Sequence, residues 1–286
     1  MHFINAKTIL TPRSMNIYRG CSHGCIYCDS RSKCYQFTHA FEDIEVKQNA
    51  PELLEETLSK KRKRCMIGTG AMGDPYIPAE KDLCLMRRCL EIIERHGFGV
   101  APQTKSDLIL RDIDLLDRIN KKAKTVVQMT VTTADDSLCR LVEPEVCPTS
   151  RRFEVLCECR DRNIPTVVWL SPFLPFINDT KENIDALLDY CIRAKVHAVI
   201  CFGIGVTMRE GNREYFYDAL DKKFPGLKER YIKSYGWNYM ISSPREHELM
   251  SYIADVCKSN SIMLGTDSFF RWMEEFPENK NQPELF

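Results

Sequence analysis

The chain has no long hydrophobic run. Its most apolar stretches, such as Thr166–Leu170 and Ala198–Ile204, fall far short of the roughly 20 residues that cross a bilayer. Residues 1–10 lack the basic-then-apolar order of a signal peptide. No membrane partner is therefore expected, and a cytoplasmic location is. Charge of one sign is also missing: Lys+Arg and Asp+Glu both number 40, so the formal net charge is zero. A balanced chain has no global attraction to nucleic acid or anionic lipid, and only a local patch can supply one. No repeat of solenoid period and no low-complexity linker divides the sequence. A second cysteine knuckle of the kind that completes a structural zinc site is absent too.

Cysteine itself is plentiful, with 14 in 286 residues. Without a sign of export these read as reduced thiols rather than a disulfide framework. Cys84, Cys89, Cys157, Cys191 and Cys257 sit in helix-like segments as small core residues. The dominant pattern is a short apolar strand followed by an amphipathic helix. Strands are expected at Met15–Tyr18, Cys65–Gly68, Gly99–Pro102, Thr125–Val131, Thr166–Leu170 and Ala198–Phe202. Helices are expected at Pro51–Lys60, Glu80–His96, Leu110–Asn120, Ser150–Arg162 and Lys181–Ala194, the second stopped by Gly97.

Right-handed crossovers between these units predict an α/β fold, a partial (β/α)6 TIM-like barrel, short of the eight units that close one. Beyond Gly205 the pattern turns helical and aromatic, at Arg213–Lys223, Leu227–Tyr235 and Arg245–Ser259. The expected organisation is a lead-in over 1–14, the barrel over 15–205, a helical extension over 206–277 and a frayed polar tail over 278–286.

The chemistry concentrates after the first strand, in Tyr18-Arg-Gly-Cys21-Ser-His-Gly-Cys25-Ile-Tyr-Cys28. Loops at the C-terminal ends of barrel strands carry the active sites of such folds. Gly20 and Gly24 allow the backbone to wrap tightly. Three thiolates hold three irons of a cubane and leave the fourth iron free to chelate a small molecule. The competing reading is a zinc site built from Cys21, Cys25 and Cys28 with His23 or Cys34. His23 lies inside the loop, poorly placed to reach the same ion as its neighbours, and Cys34 reads as a free loop thiol.

The Cys-x3-Cys-x2-Cys spacing, with Tyr27 before the last cysteine, resembles the radical SAM superfamily. The stretches 16–30, 68–80, 104–117 and 130–144 resemble its spore photoproduct lyase-like branch. The likeness extends over most of residues 15–236. It implies one [4Fe–4S] cluster on Cys21, Cys25 and Cys28, and S-adenosylmethionine (SAM) bound through its amino and carboxylate groups to the open iron. Reductive cleavage would give methionine and a 5′-deoxyadenosyl radical that abstracts hydrogen from a substrate. A low-potential reductant such as flavodoxin or ferredoxin is implied by the same resemblance.

It also implies SAM contacts at other strand ends. Gly73 and Asp74, in Gly70-Ala-Met-Gly-Asp-Pro75, match the segment beside the methionine amino group. Lys105, in Thr104-Lys-Ser106, matches the residue that pairs with the carboxylate. Thr130 matches a ribose contact, and Tyr27 and Ser171 match positions flanking the adenine. Each has a plainer counterpart: a Gly-Asp-Pro turn, a solvated lysine, a threonine chosen for its strand propensity.

The substrate is not legible. The photoproduct lyases' hydrogen-donating cysteine and its tyrosine fall at positions occupied here by Ala71 and Asp29, and neither Met72 nor Cys65 aligns as a substitute. The thymine-dimer reaction is therefore not expected from that relay, although a nucleic-acid lesion stays among the substrate classes. The basic run Lys60–Arg64 reads as a solvated helix end on the opposite barrel face. Tyr215, Phe216, Tyr217, Phe224, Tyr231, Tyr235, Trp237 and Tyr239 read as packing before they read as a base-stacking surface. Cys157 and Cys159, two apart on a helix, do not share a face, so no second cluster is expected. The alternative function is a non-catalytic iron–sulfur or zinc protein acting as a scaffold or electron carrier.

Overall fold

The computed structural model describes residues 1–275; the expected tail over 278–286 lies outside them. Seven parallel strands form the central sheet: β1 (Ser14–Met15), β2 (Met66–Thr69), β3 (Gly99–Thr104), β4 (Val127–Thr130), β5 (Thr166–Trp169), β6 (Ala198–Ile200) and β7 (Met263–Leu264). The first six follow one another in space as in sequence, the signature of repeated right-handed βαβ units. Leu10–Thr11 pairs antiparallel with β1 and extends that edge. The architecture is the partial TIM-like barrel.

Strands in such a sheet are covered on both faces, and their sequences show it: Val127, Gln128, Met129 and Thr130 of β4 are all buried, as are Thr166, Val167 and Val168 of β5. The crossover helices bury one stripe each. Leu85, Met86, Cys89, Leu90, Ile92 and Ile93 form that stripe on Leu85–His96. Cys89, Cys159, Cys191 and Cys257 are core residues, and all fourteen cysteines are free.

Three expectations are corrected. The stretch Met15–Tyr18 is not one strand. β1 ends at Met15, and Tyr18–Arg19 belongs to a separate three-stranded sheet with Glu45–Lys47 and His2–Ile4. The helix expected over Glu80–His96 breaks at Cys84, whose φ of 51° is left-handed, into Glu80–Leu83 and Leu85–His96. The buried Glu80 carboxylate accepts from the Leu85 and Met86 amides (3.0 Å each) and starts the second helix.

Thirdly, the C-terminal region is not wholly helical. Gly205–Thr207 and Met240–Ser242 form an antiparallel pair, and β7 adds a seventh strand beside β6. The helix Thr266–Glu274 then inserts Phe269 among Met66, Ala101, Val126, Val167 and Ala198. These lie toward the strands' N-terminal ends, so this helix plugs the barrel's bottom and leaves the other end for chemistry. No helix among the described residues is long and apolar enough to cross a membrane.

Candidate active site

The loop after β1 is clamped from two sides. The Cys21 amide donates to the Phe41 carbonyl (3.2 Å). Gly20 has φ +94°, and a Cβ there would stand 2.5 Å from that same oxygen. Glycine is therefore required where the chain turns into the cysteines. On the far side the Ile26 amide donates to the Val142 carbonyl (3.0 Å) and the Glu145 amide to the His23 carbonyl (3.2 Å). Val142 ends a short helix, Asp136–Val142, that the strand–helix pattern did not reveal.

Cys21, Cys25 and Cys28 line a cavity of about 140 Å³ together with His23, Tyr27, Gly73, Asp74, Lys105 and Thr130. Eight of the nine residues singled out from the sequence thus face one space, at the C-terminal ends of β1 to β4. Ser171 does not. It follows β5 and lines a separate groove with Pro172, Phe202 and Glu246.

Asp74 is the knot of this wall. Its Oδ1 accepts from the Tyr76 amide (2.8 Å) and the Thr104 hydroxyl (2.6 Å), and its Oδ2 from the Lys105 amide (2.8 Å). The Nδ1 of His23 lies 3.4 Å from Oδ2. Three of the roughly four acceptor positions of a carboxylate are thereby used within the protein. Asp74 braces the loops after β2 and β3, a part the motif alone did not suggest. Gly73 precedes it because a Cβ there would meet the Gly20 carbonyl at 2.7 Å.

Burial dominates the electrostatics. It pushes the Cys21 thiol up to about 12, helped by the Asp74 charge, and drives Cys25 well above the ordinary thiol range. It also lowers His23, against the pull of Asp74, so this imidazole is neutral. For Lys105, burial alone would depress the ammonium, but Cys25, Glu143 and Asp74 outweigh it and hold the group above its ordinary value. The cavity is therefore lined by a cation as well as by three thiols. Tyr27 turns its hydroxyl the other way, donating to the buried Glu143 carboxylate. The Lys105 ammonium lies 5.9 Å from the Tyr27 ring centre.

Whether these thiols suit a cluster or a single zinc ion depends on spacing. Zinc–sulfur bonds of about 2.3 Å in a tetrahedron put the sulfurs about 3.8 Å apart. Among the described residues, the one set of three potential ligand atoms closing to within 4.8 Å is that of His2, His39 and Glu45. Cys21, Cys25 and Cys28 are not such a set: at least one pair of their sulfurs lies more than 4.8 Å apart, beyond the spacing of one tetrahedral ion. Cys34 is exposed, and its sulfur meets Arg209 Nη1 at 3.2 Å rather than the cavity.

A buried group that motif reasoning missed lies behind the loop. Glu143 pairs with Arg152 (2.6 Å), and Arg152 Nη1 donates to the Thr130 carbonyl (3.1 Å). Two charged residues nine positions apart carry no local signature, and only their shared burial exposes them.

The family model of the radical SAM superfamily matches residues 15–191. The chain belongs to that superfamily and is a radical SAM enzyme. It is 28% identical over 242 residues to an uncharacterized protein of Mycobacterium tuberculosis, covering 81% of this chain and 69% of that one. An uncharacterized protein of Methanocaldococcus jannaschii is 30% identical over 187 residues, 62% of this chain and 69% of its own. Among solved structures, a spore photoproduct lyase mutant superposes with a TM-score of 0.67 at 12% identity, over 92% of this chain and 80% of that one. The Streptococcus suis protein SuiB bound to S-adenosylmethionine gives 0.54 at 14% identity, over 90% and 50%. At such identities these superpositions establish the shared fold. The superfamily implies a [4Fe–4S] cluster and SAM.

Proposed function

We propose that Cys21, Cys25 and Cys28 hold one [4Fe–4S] cluster in this cavity and that SAM binds beside it. The observation carrying the reading is the convergence, on one cavity, of the three thiols and the Lys105 cation. When bound, the reduced cluster supplies the electron that cleaves SAM to methionine and a hydrogen-abstracting 5′-deoxyadenosyl radical. The protein's own part is positional. Lys105 meets the SAM carboxylate in a charge-assisted contact. Gly73 lets the backbone approach the amino group, for which Asp74 keeps one acceptor position. Thr130 faces the ribose, and the Tyr27 ring flanks the adenine. Ser171 takes part only where the adenine reaches from the cavity into the groove beyond β5.

The reductant is a low-potential flavodoxin or ferredoxin, and the fourteen free thiols agree with a reducing, cytoplasmic setting. The thiol–tyrosine relay has no counterpart at its aligned positions, since Ala71, on the cavity wall, offers no thiol, and the relay's own reaction is not the one proposed. A nucleic-acid lesion is one remaining class. The exposed Trp237 and Tyr239 give it an aromatic surface, whereas Phe216 and Tyr231 of the same cluster are core.

The test is anaerobic reconstitution with iron and sulfide, reduction by dithionite, addition of SAM and chromatography for 5′-deoxyadenosine. Deoxyadenosine from the wild type and none from Cys28→Ala supports the reading. A fully loaded cluster that neither binds nor cleaves SAM supports the alternative, an electron carrier or scaffold.

A further inference from the structure

A second set of metal-ligand side chains stands apart from the cavity. The strand His2–Ile4 runs parallel to Glu45–Lys47 with His2 and Glu45 as register partners, and the His2 amide donates to the Ile44 carbonyl (2.9 Å). The sheet itself therefore places these two side chains together. His39 arrives from the preceding loop, its ring edge-to-face with that of His2 at 4.9 Å. One ligand atom from each of His2, His39 and Glu45 lies within 4.8 Å of the other two.

The outer partners are those of metal-binding histidines. His39 Nδ1 lies 2.9 Å from the Ala40 carbonyl, which can only accept, so that nitrogen carries the proton. His2 Nδ1 lies 3.1 Å from the Asp43 carboxylate in the same relation. Each ring is thereby oriented through Nδ1, and an ion at His39 Nε2 would replace the proton that nitrogen shares with Glu45 Oε1. Carbonyl and carboxylate partners of this kind fix the tautomer and raise ligand basicity at metal sites. His39 Nε2 already points at Glu45 Oε1, 2.8 Å away. Arg19 Nη1 donates to the same oxygen (3.0 Å) while its Nη2 is held by the Tyr35 carbonyl (2.9 Å), fixing the carboxylate from outside. Phe37 packs against the His39 ring and shields that side.

We propose that His2, His39 and Glu45 bind one divalent ion of the zinc class. Two imidazoles and a carboxylate suit a borderline ion and leave the fourth tetrahedral position to water. A hard oxygen-seeking cation such as Ca²⁺ would not choose two nitrogens. The ion's place defines its role. Glu45 is the register partner of Arg19, two residues before Cys21, and the same loop presents Phe41 to the Cys21 amide. An ion here staples the first strand to the segment that holds the start of the cysteine loop. The assignment uses none of the cavity residues and stands whether or not SAM is cleaved.

The test uses full-length protein with a histidine-free tag at its C-terminus, reconstituted anaerobically with iron and sulfide, then given Zn²⁺ and passed over a chelating resin. Zinc and iron are counted by mass spectrometry, and the zinc environment is read by X-ray absorption. The expected result is one zinc per chain with nitrogen and oxygen neighbours at about 2.0–2.1 Å. In His39→Gln and His2→Gln zinc should fall at least tenfold while iron stays at the wild-type level. Sulfur neighbours near 2.3 Å would place the zinc in the cysteine loop and overturn the proposal. No retained zinc, or zinc undiminished in both variants, would reduce the cluster to a hydrogen-bonded ion-pair network.

Discussion

Glu143 and Arg152 form an ion pair sealed from solvent, 2.6 Å apart with both side chains fully buried. The pair sits directly behind the cysteine loop. Tyr27 donates its hydroxyl to Glu143, and Arg152 Nε donates to the Cys147 carbonyl (3.1 Å). One carboxylate thus connects the cysteine loop, the end of β4 and the helix Thr149–Asp161.

Glu143→Gln should be strongly destabilising, by about 3–5 kcal/mol, because it leaves the Arg152 charge buried without its counterion. Denaturant unfolding compares the two proteins. The pH dependence follows from the carboxyl's environment. Burial opposes its ionisation, but Arg152 and Lys105 outweigh that and hold Glu143 below the ordinary value of 4.5. A depressed folded value means the pair's stability is present above the unfolded value and lost as pH falls through the folded one. The gap between wild type and variant is expected to be full at pH 7 and to narrow below pH 4.5. Equal stability at pH 7 would refute the role of the pair.

Gly73→Ala tests the packing of the two loops that frame the cavity. The new Cβ would meet the Gly20 carbonyl at 2.7 Å, a backbone atom that cannot move without shifting the turn into Cys21. A loss of about 1–3 kcal/mol is expected, with iron loading reduced in parallel. Gly226→Ala is the comparison: it has a φ of +82° but open space around the new Cβ, so only the backbone cost of about 1 kcal/mol applies. The same iron content in Gly73→Ala as in the wild type would show that the loops adjust independently.

Much of this was legible beforehand, for reasons that can be named. Val127–Thr130 and Thr166–Trp169 are buried on both faces and rich in β-branched residues, so their strand character shows without tertiary information. The cysteine spacing shows for the same reason, being local. What did not show is non-local or too short. Met263–Leu264 is two residues long and becomes a strand only through β6. The break at Cys84 depends on Glu80 capping the next helix from below, a contact that apolar periodicity cannot report. The motif marks Asp74 as a ligand contact; its hydrogen bonds to Thr104 and Lys105 arise only once β2 and β3 lie side by side.

Cysteine substitutions should separate the ligands from the remaining thiols. Cys21→Ser, Cys25→Ser and Cys28→Ser are each expected to lose most of the iron and the charge-transfer absorbance of a cluster. Cys34→Ser should keep both, since that sulfur is exposed and engaged by Arg209. Cys65→Ser should keep both as well, because Cys65 lines a groove with Arg13 and Phe270 at the barrel's other end. Iron loss in Cys34→Ser equal to that in Cys28→Ser would assign Cys34 as a fourth ligand and close the iron that SAM requires.

Lys105→Met should weaken SAM binding by roughly 10–100-fold, the worth of one hydrogen bond to a charged group, about 1.5–3 kcal/mol. Iron content should change little, because the side chain fixes neither loop; it is the Lys105 amide, retained in the variant, that bonds Asp74. Since Cys25, Glu143 and Asp74 hold the ammonium above its ordinary value, it stays charged throughout the neutral range. Wild-type SAM affinity is accordingly expected to show no titration of this lysine between pH 6 and 9. Equilibrium binding to the reconstituted protein measures both effects. Unchanged affinity in Lys105→Met would remove the lysine from the SAM carboxylate. It would leave Lys105 a different task, that of a buried cation balancing Cys25 and Glu143, and the variant's cost would then appear in cluster potential or folding stability instead.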